Sequence, residues 1–319
     1  MKFSVILPLY NKAPYVDKAI KSILTQTCVD FELVVMDDGS TDNSFEVASS
    51  SIKGNDNCCI YHERNAGVST ARNQAVTLSH GDFLCFLDAD DWWEPSFLER
   101  ISGLISDFPD AGIYGTGYRI VNESRNKTRV AAVGVVPGFE KGYIDYCQTY
   151  SNGMYMPLWT GAVCIPRAVF EEMGGFKSSL RLGEDFDLWI RIALKYKVAF
   201  LNLPLSNYNQ DSSPEWRAVG RLQEPRFHML WNMDYLAAEE ESNPDFKQLM
   251  DNLRTFDLLP YYLAKQYRED ARKELNKVDW DRQPRATRKL YRTPIFILQI
   301  RQSLLKLGSF VMNRMRQAL

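Results

Sequence analysis

The chain has 319 residues, 45% hydrophobic and 24% charged, with a formal net charge of −2. That length and apolar content suit one large α/β domain, or a domain with an extension, of ordinary globular composition. The near-zero balance hides an asymmetry: from Arg282 to the end there are nine Lys or Arg and no Asp or Glu, which leaves the rest at −11. A basic tail on an acidic body points to an anionic partner for the tail. The six cysteines (28, 58, 59, 85, 147, 164) form no CxxC pair and no metal spacing, so reduced thiols in a cytoplasmic protein are expected. The first apolar run ends at Pro8, too short for a signal segment, and no 18-residue apolar stretch predicts a membrane span.

Residues 3–7 read as a first strand whose ladder Pro8 should stop, with Asn11 and Pro14 preparing a helix. Val16, Ala19, Ile20, Ile23 and Leu24 then share one helical stripe. Residues 31–36 repeat the pattern: a buried strand ends in Asp37 and Asp38, and a short helix is expected after Thr41. An edge strand near 59–62 follows. Gly67 then breaks the turn before a helix that buries Val68, Ala71, Ala75 and Leu78.

The stretch 83–93, FLCFLDADDWW, organises the rest. Its apolar run lacks polar alternation, so it reads as a strand buried on both faces. Asp88, Asp90 and Asp91 follow at once, and such a cluster cannot stay buried unpaired; it must meet water, a cation or a ligand. A solvated acidic turn is the bland alternative for this stretch alone. Trp92 and Trp93 are read as packing under the loop. Four strand-helix units with short polar connections predict a three-layer α/β/α fold with a mostly parallel sheet and a ligand crevice at the C-terminal strand ends. Asp38 and Asp88 lie at such ends, with Tyr10 just beyond another.

Further on, 94–105 should be a helix, 112–121 a strand, and 122–155 a variable loop region that covers a second substrate. A strand at 160–165 leads to a helix that starts at Pro166 and ends at Gly174 and Gly175. Phe186, Trp189, Ile190, Ala193 and Leu194 form a helical stripe headed by Glu184 and Asp185, acids that the helix dipole favours there even with no other role. After a strand near 198–203, the chain divides into a domain at 1–214 and a helical extension at 215–319. Within 293–319, Ile297, Ile300, Leu304, Leu307 and Val311 recur at helical spacing among Arg301, Lys306 and Arg314. Such a helix either lies on an anionic membrane surface or docks on the protein's own body.

VILPLYNKAPYVDKAI, FELVVMDDGSTD, ERNAGVSTARN, FLDADD, TGAVCIPRAVFEEMGGF and GEDFDLWIR occur in the order seen in family 2 glycosyltransferases. The chain resembles an inverting GT-A enzyme of that family over roughly residues 1–210. The resemblance implies that Pro8, Tyr10 and Asp38 hold the nucleotide base; a ring beside the base and a carboxylate accepting its N–H groups would select uracil. Arg72 resembles a donor-site arginine, although a helix-surface salt bridge would account for it too. Asp88 is implied as a ribose contact or water-mediated ligand and Asp90 as a direct ligand of Mg²⁺ or Mn²⁺, with Asp91 structural. Asp185 resembles the catalytic base and Glu184 an acceptor contact. Related enzymes place a histidine after the last core strand; this chain has Tyr208, Asn209, Gln210 and Asp211 there, and Asp211 is the candidate replacement.

The implied reaction is transfer of a sugar from a nucleoside diphosphate sugar, UDP-linked by the uracil argument, to a hydroxyl of a glycan or lipid-linked glycan. The implied location is cytoplasmic, on the inner face of the membrane, with no nucleic-acid partner. A nucleotidyltransferase would need a Gly-rich basic loop after the first strand, and a dinucleotide-binding oxidoreductase would need GxGxxG; neither is present. The remaining alternative is a non-catalytic member that binds nucleotide sugar or assembles with other enzymes.

Overall fold

Strand β1, Phe3–Leu9, is buried along its whole length. In the computed structural model, which describes residues 2–153, 155–211 and 222–300, β1 lies inside a ten-stranded sheet. It is followed by α1 (Val16–Leu24), β2 (Phe31–Asp37), α2 (Ser44–Ile52), β3 (Cys58–His62), α3 (Val68–Thr77), β4 (Phe83–Phe86) and β5 (Trp92–Trp93). Next come α4 (Phe97–Asp107), β6 (Ala111–Asn122), β7 (Lys127–Val130), β8 (Lys141–Ile144), α5 (Tyr146–Asn152), β9 (Val163–Pro166), α6 (Arg167–Glu172), α7 (Glu184–Ala193) and β10 (Lys197–Asn209).

The sheet order is β3-β2-β1-β4-β9-β6-β10-β5, with β7 added to β6 and β8 to β10. The β3-β2-β1-β4 half is parallel, β6 and β10 are parallel to each other, and β9 joins the two parallel groups antiparallel to both neighbours. Unalternated apolar strands suit this arrangement because helices cover both faces of a parallel sheet. One face of β1 (Phe3, Val5, Leu7, Leu9) packs with Val16, Ala19, Ile20 and Ile23 of α1 in the main core, which Phe97, Leu98 and Ile101 of α4 also join.

Pro8 does not end β1, which pairs with β2 through Leu9. The carbonyl of Ile6 accepts the N–H of Leu87 on the β4 side, and that of Leu9 accepts the N–H of Asp38 on the β2 side. Residue 8 shares the phase of residue 6, so its missing N–H falls where β4 pairing has already stopped. Likewise β10 runs past Pro204 to Asn209, because register shifts around Pro204 absorb the lost donor. The region 122–155 is not all loop: β7, β8 and α5 lie within it. All four residues of β7 are exposed, so no burial requirement gave its sequence an apolar period.

The described chain forms two compact units, residues 1–235 and 236–319. The second is helical, with helices at Ala237–Ser242, Pro244–Asp257, Leu259–Leu263, Arg268–Leu275 and Arg285–Arg292 around a core that includes Phe246, Met250, Tyr261 and Leu275. Its buried Arg254 forks onto Glu240, with Nη2 2.8 Å from Oε2. Among the described residues no helix is long and apolar enough to cross a membrane. The tail positions Leu304, Leu307 and Val311 lie outside the described residues.

Candidate active site

At the C-terminal ends of β1, β2 and β4 lies a cleft of about 400 Å³. Pro8, Tyr10, Asp38, Arg72, Asp88, Asp90 and Glu184 all line it, so seven of the eight predicted site residues meet in one place. The eighth, Asp185, follows Glu184 at the start of α7.

The loops around the cleft are tied together by short polar side chains. Asn11, left-handed at φ 51°, accepts the N–H groups of Thr41 (2.8 Å) and Asp42 (3.3 Å), which pins the β1–α1 loop to the β2–α2 loop. Asp38 accepts the backbone N–H groups of Ala66 (2.7 Å) and Gly67 (2.9 Å), one on each oxygen. Burial pushes its carboxyl above the ordinary range, and those two donors partly offset this.

The acids after β4 have three different environments. Asp91 is 2% exposed; it accepts the N–H of Asn209 (2.8 Å) and the indole N–H of Trp159 (3.3 Å), so it braces the loop against β10. Burial, then the charges of Asp90 and Asp88, push its carboxyl well above the usual range. Asp90 receives the Lys12 ammonium at 2.6 Å, with both side chains largely buried. Asp88 accepts from Arg72 Nη2 at 2.6 Å. Trp93 is core, stacked on Phe97 with centroids 4.2 Å apart, and Trp92 lies under the Lys18 ammonium, 3.2 Å from its ring centre.

Arg72 is no surface residue. Only 3% exposed, it holds Asp88 with one arm and Glu184 with the other (3.2 Å), while its Nε has no hydrogen-bond partner among the described residues. Gly183 sets the start of α7: its φ of 80° is left-handed, and a Cβ there would run into Met229. Farther along, Asp187 anchors α7 to Lys177 and Tyr235 and accepts from Arg191 one turn on in the same helix. Asp185 accepts the hydroxyl of Thr160 (3.1 Å) on one oxygen and the N–H of Phe186 (2.7 Å) on the other. Burial raises the Asp185 carboxyl, against the charge of Arg72, and burial followed by the charge of Asp185 pushes Glu184 up to about 7.

The model of glycosyl transferase family 2 matches residues 4–170, just over half of the chain. The chain belongs to this family. The chain is similar to an uncharacterized glycosyltransferase of Rickettsia felis, 31% identical over 212 residues, or 64% of this chain and 32% of that protein. Glycosyltransferase GlyA of Streptococcus pneumoniae is 37% identical over 123 residues, 39% of this chain and 18% of that protein. The chain therefore spans about a third or less of the length of these two relatives. Among solved structures, S. aureus TarS 1-349 in complex with UDP-GlcNAc superposes with a TM-score of 0.71 at 18% identity, covering 87% of this chain and 79% of that one. The fold is GT-A-like.

For a family 2 chain a divalent cation is the expected companion of the nucleotide sugar. Among the described residues no group of three or more His, Cys, Asp or Glu could hold a metal ion. Asp88 and Asp90 present hard carboxylate oxygens to the cleft, each now engaged by a cationic side chain. Two carboxylates with phosphate oxygens and water form a donor set that suits Mg²⁺ or Mn²⁺, so the residues fit a site that the donor completes. Asp211 is used elsewhere: its carboxylate accepts the N–H (3.0 Å) and hydroxyl (2.7 Å) of Ser124.

Sequence reasoning missed Lys12, Thr160 and Trp159. A cation two residues after Tyr10, facing an acid-rich cleft, was a usable signal for Lys12. For Thr160 and Trp159 there was none, because only the fold brings them to Asp185 and Asp91.

Proposed function

We propose that the chain is an inverting glycosyltransferase that moves a sugar from a uridine diphosphate sugar to a hydroxyl of a glycan or lipid-linked glycan. The observation that carries this is Arg72: one buried guanidinium binds both Asp88, at the donor end of the cleft, and Glu184, beside the prospective base. The two halves of a displacement reaction thus lie within the span of one side chain.

Pro8 and Tyr10 form the floor for the base. Each Asp38 oxygen accepts one backbone N–H and keeps a second lone pair, which suits the N–H of uracil. A Mg²⁺ or Mn²⁺ ion held by Asp90 and Asp88 with the diphosphate would neutralise the charge that develops on the leaving group. Asp185, oriented by Thr160 and the Phe186 N–H, accepts the proton of the acceptor hydroxyl as its oxygen attacks the anomeric carbon. The new C–O bond forms on the face opposite the diphosphate as the bond to the diphosphate breaks, so configuration inverts. Glu184 contacts the acceptor. The test is release of UDP against GDP from a panel of nucleotide sugars, with Mg²⁺ and with Mn²⁺. UDP release that rises with a glycan acceptor supports the assignment; donor binding with no transfer to any acceptor would favour a non-catalytic member.

We also assign the basic tail to an anionic membrane surface, and the organisation of the polypeptide into a domain at 1–214 and an extension at 215–319 is part of the same proposal. Helix Arg285–Arg292 carries Arg285, Arg288, Lys289 and Arg292, and Phe296 (63% exposed), Ile297 and Ile300 follow as exposed apolar residues. Cations beside exposed apolar side chains suit an interfacial helix on acidic lipid. Flotation with acidic but not neutral vesicles, lost on deletion of 293–319, is expected; flotation unchanged by the deletion contradicts it.

A further inference from the structure

A second cleft, of about 600 Å³, opens on the β6–β7 hairpin, and three of its lining residues are Arg125, Lys127 and Arg129. No carboxylate is among the described residues that line it. The unit that carries it, residues 1–235, has a formal net charge of −7. The two nearest acids in sequence are both engaged: Glu123 pairs with Lys18 at 2.7 Å, and Asp211 accepts from Ser124. Arg119, on the opposite face of β6, is neutralised by Glu94 at 2.8 Å. Among the described residues, none of Arg125, Lys127 and Arg129 forms an ion pair; Arg129 stacks 5.2 Å from the ring centre of Tyr155.

The register connects this cleft to the proposed active site. Ile120 is the cross-strand partner of Arg129 on one side and of Tyr208 on the other, and partners project from the same face. Two residues along, Asn122 partners Lys127 on that face. Tyr208 itself lines the donor cleft and packs on Trp159, 4.4 Å between ring centres. One face of the sheet therefore runs from the aromatic wall of the donor cleft to a row of cations that no carboxylate among the described residues pairs. A neutral acceptor gains hydrogen bonds from such a row but no charge attraction. An anionic one gains charge-assisted contacts and loses little solvation, because the cations stay exposed.

We propose that the β6–β7 groove is the docking track for an anionic acceptor, a glycan that carries phosphodiester or carboxylate groups and whose terminal hydroxyl reaches the donor cleft past Tyr208 and Trp159. This rests on the glycosyltransferase reading and names its acceptor class.

The test measures binding of the full chain, without donor, to four polymers: poly(glycerol phosphate), polygalacturonate, neutral dextran and oligo(dT). Expected is binding to at least one anionic glycan about tenfold tighter than to dextran, weakening as salt rises. The variant Arg125→Gln/Lys127→Gln/Arg129→Gln, changed only at exposed positions, should lose about that factor while its donor hydrolysis stays at the wild-type rate. The phosphate and carboxylate polymers distinguish the two sources of charge. Equal affinity for dextran, equal or tighter affinity for oligo(dT), or an unaffected triple variant would overturn the proposal. So would loss of binding on the control Arg285→Gln/Arg288→Gln/Lys289→Gln instead, which would locate the polyanion on the tail. Failure of the wild type to release nucleotide would count against the glycosyltransferase reading alone, since the polymer binding is read with no donor present.

Discussion

Arg72 Nη2 lies 2.6 Å from Asp88 Oδ1 and Arg72 Nη1 lies 3.2 Å from Glu184 Oε1, although Glu184 is 112 residues away in the chain. A planar fork with donors on separate nitrogens can bind two carboxylates at once; a lysine ammonium on a flexible stem cannot hold both in fixed directions. Arg72→Lys is therefore expected to keep most of the stability but lower turnover well below wild type. Arg72→Ala should also destabilise the fold by about 3 kcal/mol, because it leaves Asp88 and Glu184 without their buried partner. Urea unfolding and nucleotide release separate the two effects. Wild-type turnover in Arg72→Lys would contradict the linking role.

The Lys12 ammonium sits 2.6 Å from Asp90 Oδ2, on the carboxylate proposed to face the divalent cation. A cation and an ammonium compete for those oxygens. Lys12→Met should raise the affinity of donor-free protein for Mn²⁺ by about tenfold, the equivalent of losing one partly buried ion pair. Electron paramagnetic resonance of free Mn²⁺ measures this directly. Unchanged or weaker Mn²⁺ binding would mean that Asp90 is not the shared ligand.

Glu184 provides a pH signature. Its folded pKa is raised from 4.5 to about 7, by burial first and the Asp185 charge second, so the folded state binds a proton that the unfolded state releases at lower pH. Its contribution is fully present below pH 4.5 and is lost as pH rises towards about 7. Thermal midpoints across that window should fall more steeply in the wild type than in Glu184→Gln. Parallel curves would show that Glu184 does not titrate as placed.

Much of this architecture is legible because β1, β2 and β4 are buried on both faces, which leaves unalternated apolar runs that only a covered sheet explains. The acids at Asp38 and Asp88 stand out for the same reason, as charges where such runs stop. By contrast β7 faces solvent along its whole length and carries KTRV, so burial imposes no period on it, and β8, KGYI, is half-buried only at Gly142 and Ile144, too short a pattern to read. Trp159 meets Asp91, and Thr160 meets Asp185, only through the closing of the sheet, and no local pattern encodes either pair. Arg72 could be read at the sequence level as a helix-surface salt bridge because α3 alone does not reveal which side α7 covers.

In the proposed reaction Asp185 takes the proton from the acceptor. Burial raises its carboxyl, so the acid limb of the rate profile should lie above the ordinary aspartate value of 3.8. The most direct measurement is Asp185→Asn, assayed for donor binding by calorimetry and for transfer by product formation with the nucleotide sugar the wild type uses. The amide keeps the size of the side chain and one oxygen acceptor but cannot accept a proton from the hydroxyl. Donor affinity within about twofold of wild type with transfer reduced by 10²-fold or more, about the contribution of a general base, is the predicted result. Transfer at the wild-type rate would mean that Asp185 is not the base.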